Sequence, residues 1–379
     1  MTPRLLLAVA SASAVAISAC APAALAAPPA LTEKAVQDAS FSPLPDRSSA
    51  SAEPEVVKAE VLLDRAHFSP GVIDGIDGDN FRKAVMAYQK QMGLPASGRL
   101  DQATWDRLTA GAPAPLTRAE VTAADAKGPF TRRIPLDFEA QSRLKHMGFL
   151  DIREALAERF HMSQPLIMAL NPGRTFAAGQ QIVVANVERG KPTDRAARVV
   201  VDKIGHDVEA LAADGRLLAY YPASIGSTDK PAPTGDFAIR RIAHNPDYTY
   251  FPRFHFKGVG SKEAFTIAPG PNNPVGLVWM DLSYDGYGIH GTPSPEAVGK
   301  TQSHGCIRLT NWDALNLAAL VDKDTPVSFG DVPGSTGPVP PAPAPATPIG
   351  GQPSADAAAE TLNPPDSPRP ARRIGNVRP

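Results

Sequence analysis

Cysteine is nearly absent from this 379-residue chain, which contains only Cys20 and Cys306. So few cysteines exclude a scaffold that depends on a disulfide framework. An excess of charge of one sign is lacking as well, because 38 basic and 39 acidic residues leave a formal net charge of −1. The chain therefore offers no electrostatic basis for binding nucleic acid, and we predict no such partner.

A long hydrophobic run is also lacking. Residues 1–20 carry one arginine, a short apolar stretch and small residues, which is typical of a secretory signal and too short for a lasting membrane span. Two cleavage sites compete: Ile17-Ser18-Ala19-Cys20 resembles a lipobox, and Ala24-Leu25-Ala26 resembles an ordinary signal-peptidase site. We predict a signal peptide over residues 1–26 and export to the periplasm or cell envelope, with membrane contact only through a lipid anchor at Cys20.

Proline is abundant, at 40 residues, and it clusters toward the ends of the chain. Residues 27–54 and 112–135 are rich in Pro and Ala and are predicted to be linkers. Residues 331–379 cannot bury enough apolar surface to offset the entropy lost on ordering, so this tail is predicted to be disordered. Two or three compact units are expected between these segments.

Residues 55–111 carry the pattern of a helical unit. Apolar side chains recur at the spacing of one helix face, namely at Phe81, Ala84, Val85, Tyr88 and Met92. The segments 72–75, 87–89 and 93–98 resemble a three-helix peptidoglycan-binding domain, which implies peptidoglycan as a partner. The alternative is a helical spacer without a ligand.

Residues 136–188 are predicted to form a small α+β module. Two helices, the second ended by Asn171-Pro172-Gly173, precede a turn at Gly179-Gln180 and a strand. This order is similar to a LysM glycan-binding module, although the Gly-Asp-Thr usual at the start of such modules is absent. Glycan binding and a spacer role are both open for this module.

Residues 196–330 change to short β-type runs separated by Gly- and Pro-rich turns. One clear helix is predicted, from Trp312 to Val321, with Asn311 as its cap. We predict a mainly β domain here, a sandwich or half-open barrel, so that the whole chain is a multidomain protein.

Cys306 is the only candidate for a free thiol once the export signal is set aside, and its neighbours are small or polar. Such a setting favours a reactive thiol over an inert packed one. If Ser303–Leu309 is extended, His304 and Cys306 point to the same side of a strand, and an adjacent strand ending at His290 brings a second imidazole opposite the thiol. Imidazole is a suitable base for forming a thiolate near neutral pH.

From Arg198 to Phe329 the chain resembles the L,D-transpeptidase catalytic domain, because four motifs occur in the same order. These motifs are Pro233–Phe237, Pro269–Gly276, Gly288–Thr292 and Ser303–Leu309. The resemblance implies a cysteine acyltransferase in which Cys306 is the nucleophile and His290 is the proton donor and acceptor. It implies that the Gly291 carbonyl orients the His290 ring, and that no cofactor or metal takes part.

Further roles are expected around the thiol. Backbone N–H groups of Gly305 and Cys306 are expected to stabilise an oxyanion, and His304 to have a secondary role. The candidates for substrate binding are Ser303, Arg308 and Tyr287. Arg308 either grips a substrate carboxylate or pairs with a structural acid.

The implied reaction is attack of the thiolate on the L-centre carbonyl of diaminopimelate in a peptidoglycan stem tetrapeptide. D-alanine leaves, and a second diaminopimelate amine converts the thioester into a 3–3 cross-link. Water in place of that amine gives L,D-carboxypeptidase activity, and a lipoprotein amine gives protein attachment. The resemblance also implies covalent inhibition by carbapenems.

Two other classes stay open at this point. In one, His290, His304 and Cys306 are zinc ligands of a metallohydrolase, although no spaced His-x-x-x-His or obvious general-base carboxylate accompanies them. In the other, the N-terminal units form a wall-bound scaffold with an idle catalytic domain. The aromatic-rich segment 245–262 is either a lid over the groove or a packed hairpin, and the sequence favours neither.

Overall fold

The computed structural model describes residues 31–43, 51–190, 194–227, 230–254, 259–303 and 305–330. The predicted signal peptide with Cys20, the predicted disordered tail over residues 331–379 and His304 all lie outside these ranges. No helix within the described ranges is long and apolar enough to cross a membrane.

The first part of the described chain is helical. Its elements are α1 (Glu33–Gln37), α2 (Pro54–Arg65), α3 (Asp79–Gln91) and α4 (Gln102–Thr109). The stripe predicted on α3 is confirmed, because most of its members are buried in one core, namely Phe81, Ala84, Val85 and Tyr88. The linker predicted over residues 27–54 is wrong for α1, because Val36 is fully buried in a core with Val57 of α2.

A small α+β part follows, which we call the middle module (residues 116–185). Its elements are β1 (Leu116–Glu120), α5 (Ala123–Lys127), α6 (Phe138–Gln141), α7 (Ile152–Arg159), α8 (Gln164–Leu170) and β2 (Gln181–Ala185). β1 and β2 pair antiparallel. The linker predicted over residues 112–135 and the module start at residue 136 are therefore wrong, because β1 finds its partner far along the chain. The likeness of this module to LysM stays a prediction.

The last part of the chain is mainly β, which confirms the predicted fold class. Its strands are β3 (Arg198–Asp202), β4 (Asp207–Leu211), β5 (Leu217–Pro222), β6 (Ser224–Ile225), β7 (Gly235–His244), β8 (Tyr248–Tyr250), β9 (Phe265–Ile267), β10 (Val278–Leu282), β11 (Gly288–His290), β12 (Ile307–Arg308) and β13 (Pro326–Gly330). The 3-10 turns Pro252–Phe254 and Pro295–Ala297 and the helix α9 (Asn311–Leu320) complete it. The main sheet has the order β5-β4-β3-β13-β7-β10-β11-β12-β6, and β8 pairs separately with β9.

The alternating burial of side chains along β10 shows which face of the sheet packs on the core. Three alternate residues are fully buried in the core that also contains α9, namely Val278, Met280 and Leu282. Burial of each such side chain contributes roughly 1.5–3 kcal/mol to stability. Trp279 and Asp281 lie between them and are only partly buried, so the opposite face of β10 is left uncovered by the core.

A buried ion network joins three parts of the chain. Arg189, which follows the middle module, lies 2.5 Å from Asp64 of α2 and 3.8 Å from Asp313 of α9. His161 Nδ1 lies 3.2 Å from Asp64, and the His161 ring stacks on Trp312 at 5.0 Å. Burial raises the pKa of Asp64, but the charges of Arg189 and His161 outweigh it and lower that pKa to about 2.

Candidate active site

The motifs that contain Cys306 and His290 lie on neighbouring strands. β11 and β12 run parallel, with Ile289 opposite Ile307 and His290 opposite Arg308. Both isoleucines are fully buried in the core, so the alternate positions His290 and Arg308 lie on the opposite face. The predicted adjacency of the two motifs is confirmed, but the register places His290 opposite Arg308 and not, as predicted, opposite Cys306.

The backbone before β12 is bent rather than extended. Because β12 is only two residues long, the prediction of an extended Ser303–Leu309 is wrong. Gly305 has a φ of 105°, a conformation that residues with a Cβ rarely adopt, and a Cβ there would lie 3.1 Å from Tyr287 Cε1. The Ser303 hydroxyl donates to the Cys306 carbonyl at 2.5 Å, which fastens the bend.

The Cys306 thiol is free and half-buried. Its Sγ–H donates to the carbonyl of Gly286 at 3.7 Å. Burial raises the pKa of the thiol, and the backbone of Gly288 and the charge of Lys230 oppose that rise without cancelling it. Within the described residues Sγ makes no hydrogen bond to the His290 ring.

His290 is held in one orientation. Its Nδ1 lies 2.6 Å from the carbonyl oxygen of Gly291, and its ring stacks on Trp279 with centroids 5.4 Å apart. A carbonyl oxygen can only accept, so Nδ1 carries the proton and Nε2 keeps its lone pair. Burial, and then the charge of Arg308, lower the pKa of His290 to about 3, so the ring is neutral at pH 7.

Trp279 is a site residue that the sequence reasoning missed. It lies opposite His290 in the register of β10 and β11, and a Cβ on Gly288 would lie only 2.6 Å from the Trp279 ring. The indole therefore covers one side of the imidazole, and residue 288 has no room for a side chain. The signal was present in the alternation of β10, which places Trp279 on the face away from the core.

Arg308 lies on the same face as His290 and is largely buried. Its Nε is buried without a hydrogen-bond partner in the described part of the chain. Burial lowers the pKa of Arg308, while the neighbouring Cys306 thiolate would raise it. A buried guanidinium with an unused donor is suited to bind an anion, which favours the first of the two roles considered for this residue.

Aromatic side chains border the thiol. Lys230 Nζ lies 5.4 Å from the centre of the Tyr287 ring on one side. On another side, burial and then the charge of the Cys306 thiolate raise the pKa of Tyr248 on β8. Tyr248 also packs edge-on against Phe138 of α6, with centroids 5.9 Å apart. The hairpin of β8 and β9 therefore lies close enough to Cys306 for a charge there to act on Tyr248, and it also packs against the middle module.

Asn311 does not cap α9, contrary to the sequence prediction. Thr310 is the cap, and its hydroxyl accepts from the backbone N–H of Asp313 at 3.2 Å. Asn311 is instead the first helical residue, and its side chain reaches the loop before β10. Its Oδ1 accepts from the N–H of Leu277 at 3.0 Å, and its Nδ2 donates to the carbonyl of Pro271 at 3.1 Å.

Metal ligation was the competing explanation for the same side chains. Among the residues that the structure describes, no group of three His, Cys, Asp or Glu side chains could hold a metal ion. The zinc alternative also requires His304, which lies outside those residues, so it stays a hypothesis for experiment.

Two protein families match different segments of the chain. Residues 196–328 match a family described as "L,D-transpeptidase catalytic domain", and residues 52–108 match one described as "Putative peptidoglycan binding domain". The "Putative L,D-transpeptidase YkuD" of Bacillus licheniformis is 30% identical over 178 residues, which cover 46% of this chain and 91% of that protein. The chain belongs to the L,D-transpeptidase family.

Other relatives of this L,D-transpeptidase match a similar share of the chain. The "Putative L,D-transpeptidase YqjB" of Bacillus subtilis is 33% identical over 138 residues, which cover 35% of this chain and 70% of that protein. A solved L,D-transpeptidase from Mycobacterium smegmatis is 22% identical with a TM-score of 0.30, over 40% of this chain and 66% of that chain. The middle module lies between the two segments matched by families. Apart from the two linkers and the start of the middle module, the predicted domain boundaries stay predictions.

Proposed function

We propose that this L,D-transpeptidase cross-links peptidoglycan by acyl transfer through a thioester on Cys306. The observation that carries the proposal is the pairing of β11 with β12, which places a neutral His290 on the face away from the core and next to a strand that begins one residue after Cys306. The contact between His290 Nδ1 and the Gly291 carbonyl supports it, because it leaves Nε2 free to accept a proton.

The first half of the reaction forms the acyl-enzyme. His290 Nε2 takes the proton of Sγ, and the sulfur bonds to the carbonyl carbon at the L-centre of diaminopimelate in a stem tetrapeptide. Backbone N–H groups of Gly305 and Cys306 stabilise the oxyanion. The imidazolium then protonates the amine of D-alanine as the C–N bond breaks.

The second half transfers the acyl group to an acceptor. The side-chain amine of a second diaminopimelate attacks the thioester and gives its proton to His290, which returns it to the departing sulfur. The product is a 3–3 cross-link, and the thiol is regenerated. Water as the acceptor gives a tripeptide, and an amine of a lipoprotein gives attached protein, so these activities differ from cross-linking only in the acceptor.

Substrate binding is assigned to three residues at the rim of the thiol. Arg308 binds a carboxylate of the stem peptide, a role supported by its buried Nε without a partner in the described chain. Tyr287 lines the groove, where its ring lies against Gly305. Ser303 holds the bend that carries the thiol. His304 keeps the secondary role that was predicted for it from the sequence.

The N-terminal segments are proposed to bring the enzyme to the wall. The match of residues 52–108 to a peptidoglycan-binding family supports attachment to peptidoglycan. We propose export to the periplasm or cell envelope, with a lipid on Cys20 as one route of retention. Intact mass of the mature protein tests this route, because lipidation adds a diacylglyceryl group and cleavage after residue 26 removes Cys20 altogether.

The full-length protein is tested on purified disaccharide-tetrapeptide, with products read by mass. Loss of D-alanine and a 3–3 linked dimer are expected, whereas tripeptide alone would show that hydrolysis is the reaction. Cys306→Ala is the matched control, and it should abolish turnover while still sedimenting with insoluble peptidoglycan. Cross-linking by this variant would overturn the assignment of the nucleophile.

Two further measurements separate the competing classes. Activity that persists in excess chelator is expected here, and its loss would favour the zinc alternative. A carbapenem should add its mass to Cys306 of the wild-type protein, because an active thiol forms a stable thioester. A wall-bound scaffold with an idle catalytic domain would bind peptidoglycan and form no such adduct.

A further inference from the structure

Two glutamates of α7 reach from the middle module to the catalytic domain. Glu158 Oε1 accepts from Asn311 Nδ2 at 2.6 Å, and Glu154 Oε1 accepts from Asn272 Nδ2 at 2.9 Å. Residues four apart share one face of a helix, so α7 presents both carboxyl groups to the same surface. Asn311 and Asn272 are only 1% and 6% exposed, so these amides are bound away from water.

Asn311 connects Glu158 to the backbone behind the catalytic histidine. Its Oδ1 accepts from the N–H of Leu277 at 3.0 Å. A Cβ on Gly291 would lie 2.1 Å from this oxygen, and a Cβ on Gly276 would lie 2.0 Å from it. Both glycines therefore press directly against the amide, and in a close-packed interior the position of Asn311 sets the position of Gly291.

Gly291 in turn orients His290 through its carbonyl oxygen, 2.6 Å from Nδ1. The path from Glu158 to the imidazole thus consists of a hydrogen bond, a van der Waals contact and a second hydrogen bond. Asn311, Gly291 and His290 are all buried, so a displacement at one of them is passed to the next rather than absorbed by solvent.

We propose that Glu158 is a positioning residue for acyl transfer: by accepting from the Asn311 amide, it fixes the Gly291 carbonyl that orients His290. This inference rests on the proposed acid and base role of His290. Glu158 lies outside the segment that matches the catalytic family, at residues 196–328, so the middle module supplies a part of the site that this segment lacks.

The chemistry of Glu158 suggests how to test the contact. Burial raises the pKa of Glu158 to about 8, so its carboxyl group is neutral at pH 7. Glu158→Gln has the same reach and keeps a neutral acceptor oxygen. Glu158→Asp keeps the carboxyl group but withdraws it by one methylene, which breaks the hydrogen bond without removing a large side chain.

Glu154→Asp is a matched control for Glu158→Asp. It shortens the neighbouring glutamate in the same way on the same helix. Each asparagine partner also has a second acceptor at the same distance: Asn272 donates to the carbonyl of Gly148 at 3.1 Å, and Asn311 donates to that of Pro271 at 3.1 Å. Glu154 also accepts from the backbone N–H of Leu150, so Glu154→Asp removes at least as many contacts of α7 as Glu158→Asp does. Only Glu158→Asp acts on the amide beside Gly291.

The readout is the second-order rate of Cys306 acylation by a carbapenem at pH 7, followed by intact mass, together with the thermal unfolding midpoint. Glu158→Asp should slow acylation by about 10- to 100-fold, the cost of a small misplacement of a catalytic group. Glu158→Gln and Glu154→Asp should react near the wild-type rate. Alkylation by iodoacetamide above the pKa of the thiol needs no base and should be unchanged in all three.

The outcomes distinguish the proposed function of the enzyme from the positioning role of Glu158. A wild-type protein that forms no adduct overturns the proposed function and this inference with it. If the wild type reacts and Glu158→Asp is acylated at the same rate, the inference alone is overturned. Equal slowing in Glu154→Asp would show a general effect of docking, and equal slowing in Glu158→Gln would show that charge matters rather than the acceptor; either result also overturns it.

Discussion

Protonation of His290 is expected to destabilise the folded enzyme. The residue is 6% exposed, and its pKa is lowered to about 3 from an ordinary value of 6.5. Such a group takes up a proton on unfolding, so its contribution to stability is complete above pH 6.5 and is lost as the pH falls toward 3. From pH 6.5 to pH 4 the change is 2.5 units, and at 1.36 kcal/mol per unit this amounts to about 3.4 kcal/mol.

The assay is urea unfolding of the full-length protein at pH 7 and pH 4, followed by tryptophan fluorescence. His290→Gln is the comparison, because its amide can donate to the Gly291 carbonyl but cannot titrate. Other acidic groups change protonation in both proteins, so their effects cancel in the difference. The wild type should lose about 3 kcal/mol more than the variant on acidification. An equal loss in the two proteins would refute the claim that a neutral ring is buried here.

Alkylation of Cys306 by iodoacetamide should accelerate with pH and level off only above pH 9, because burial raises the pKa of the thiol. A rate that is already constant at acidic pH would instead reveal a preformed ion pair of thiolate and imidazolium. Gly288→Ala should lower the melting temperature and slow acylation by a carbapenem, because its Cβ would lie 2.6 Å from the Trp279 ring; an unchanged rate would contradict this packing. Asp64→Asn should destabilise the protein by about 3–5 kcal/mol in urea at pH 7, because Arg189 loses the nearer of its buried partners; a loss below 1 kcal/mol would argue against the network.

Much of the catalytic sheet could be predicted because its signals are local. The alternation of apolar and other side chains in β10 is visible in five consecutive residues. The motifs around Cys306 and His290 are each short enough to recognise in the sequence. Their pairing also followed, because two short strands that carry one site are expected to be neighbours. The bend at Gly305 was missed because a run of strand-compatible residues does not show where the hydrogen-bonded ladder stops.

The failed predictions share a physical cause, which is a partner that lies far away in sequence. The β1 segment looked like a linker because its partner β2 comes after the whole middle module. Thr310 and Asn311 are both good helix caps. Thr310 is the cap because the Asn311 side chain is bonded to the loop before β10. Glu158 carried no local sign of a role, since only the docking of α7 brings it to Asn311.

Arg189 lies between carboxylates of α2 and α9, and this arrangement limits how the protein can be shortened. A fragment cut at the borders of residues 196–328 would keep Asp313 in an apolar interior and discard its cation. A fragment that began after α4 would keep the guanidinium and discard Asp64. The smallest piece expected to refold therefore runs from α2 through β13, which makes the helices that match a wall-binding family part of the enzyme's own folding unit.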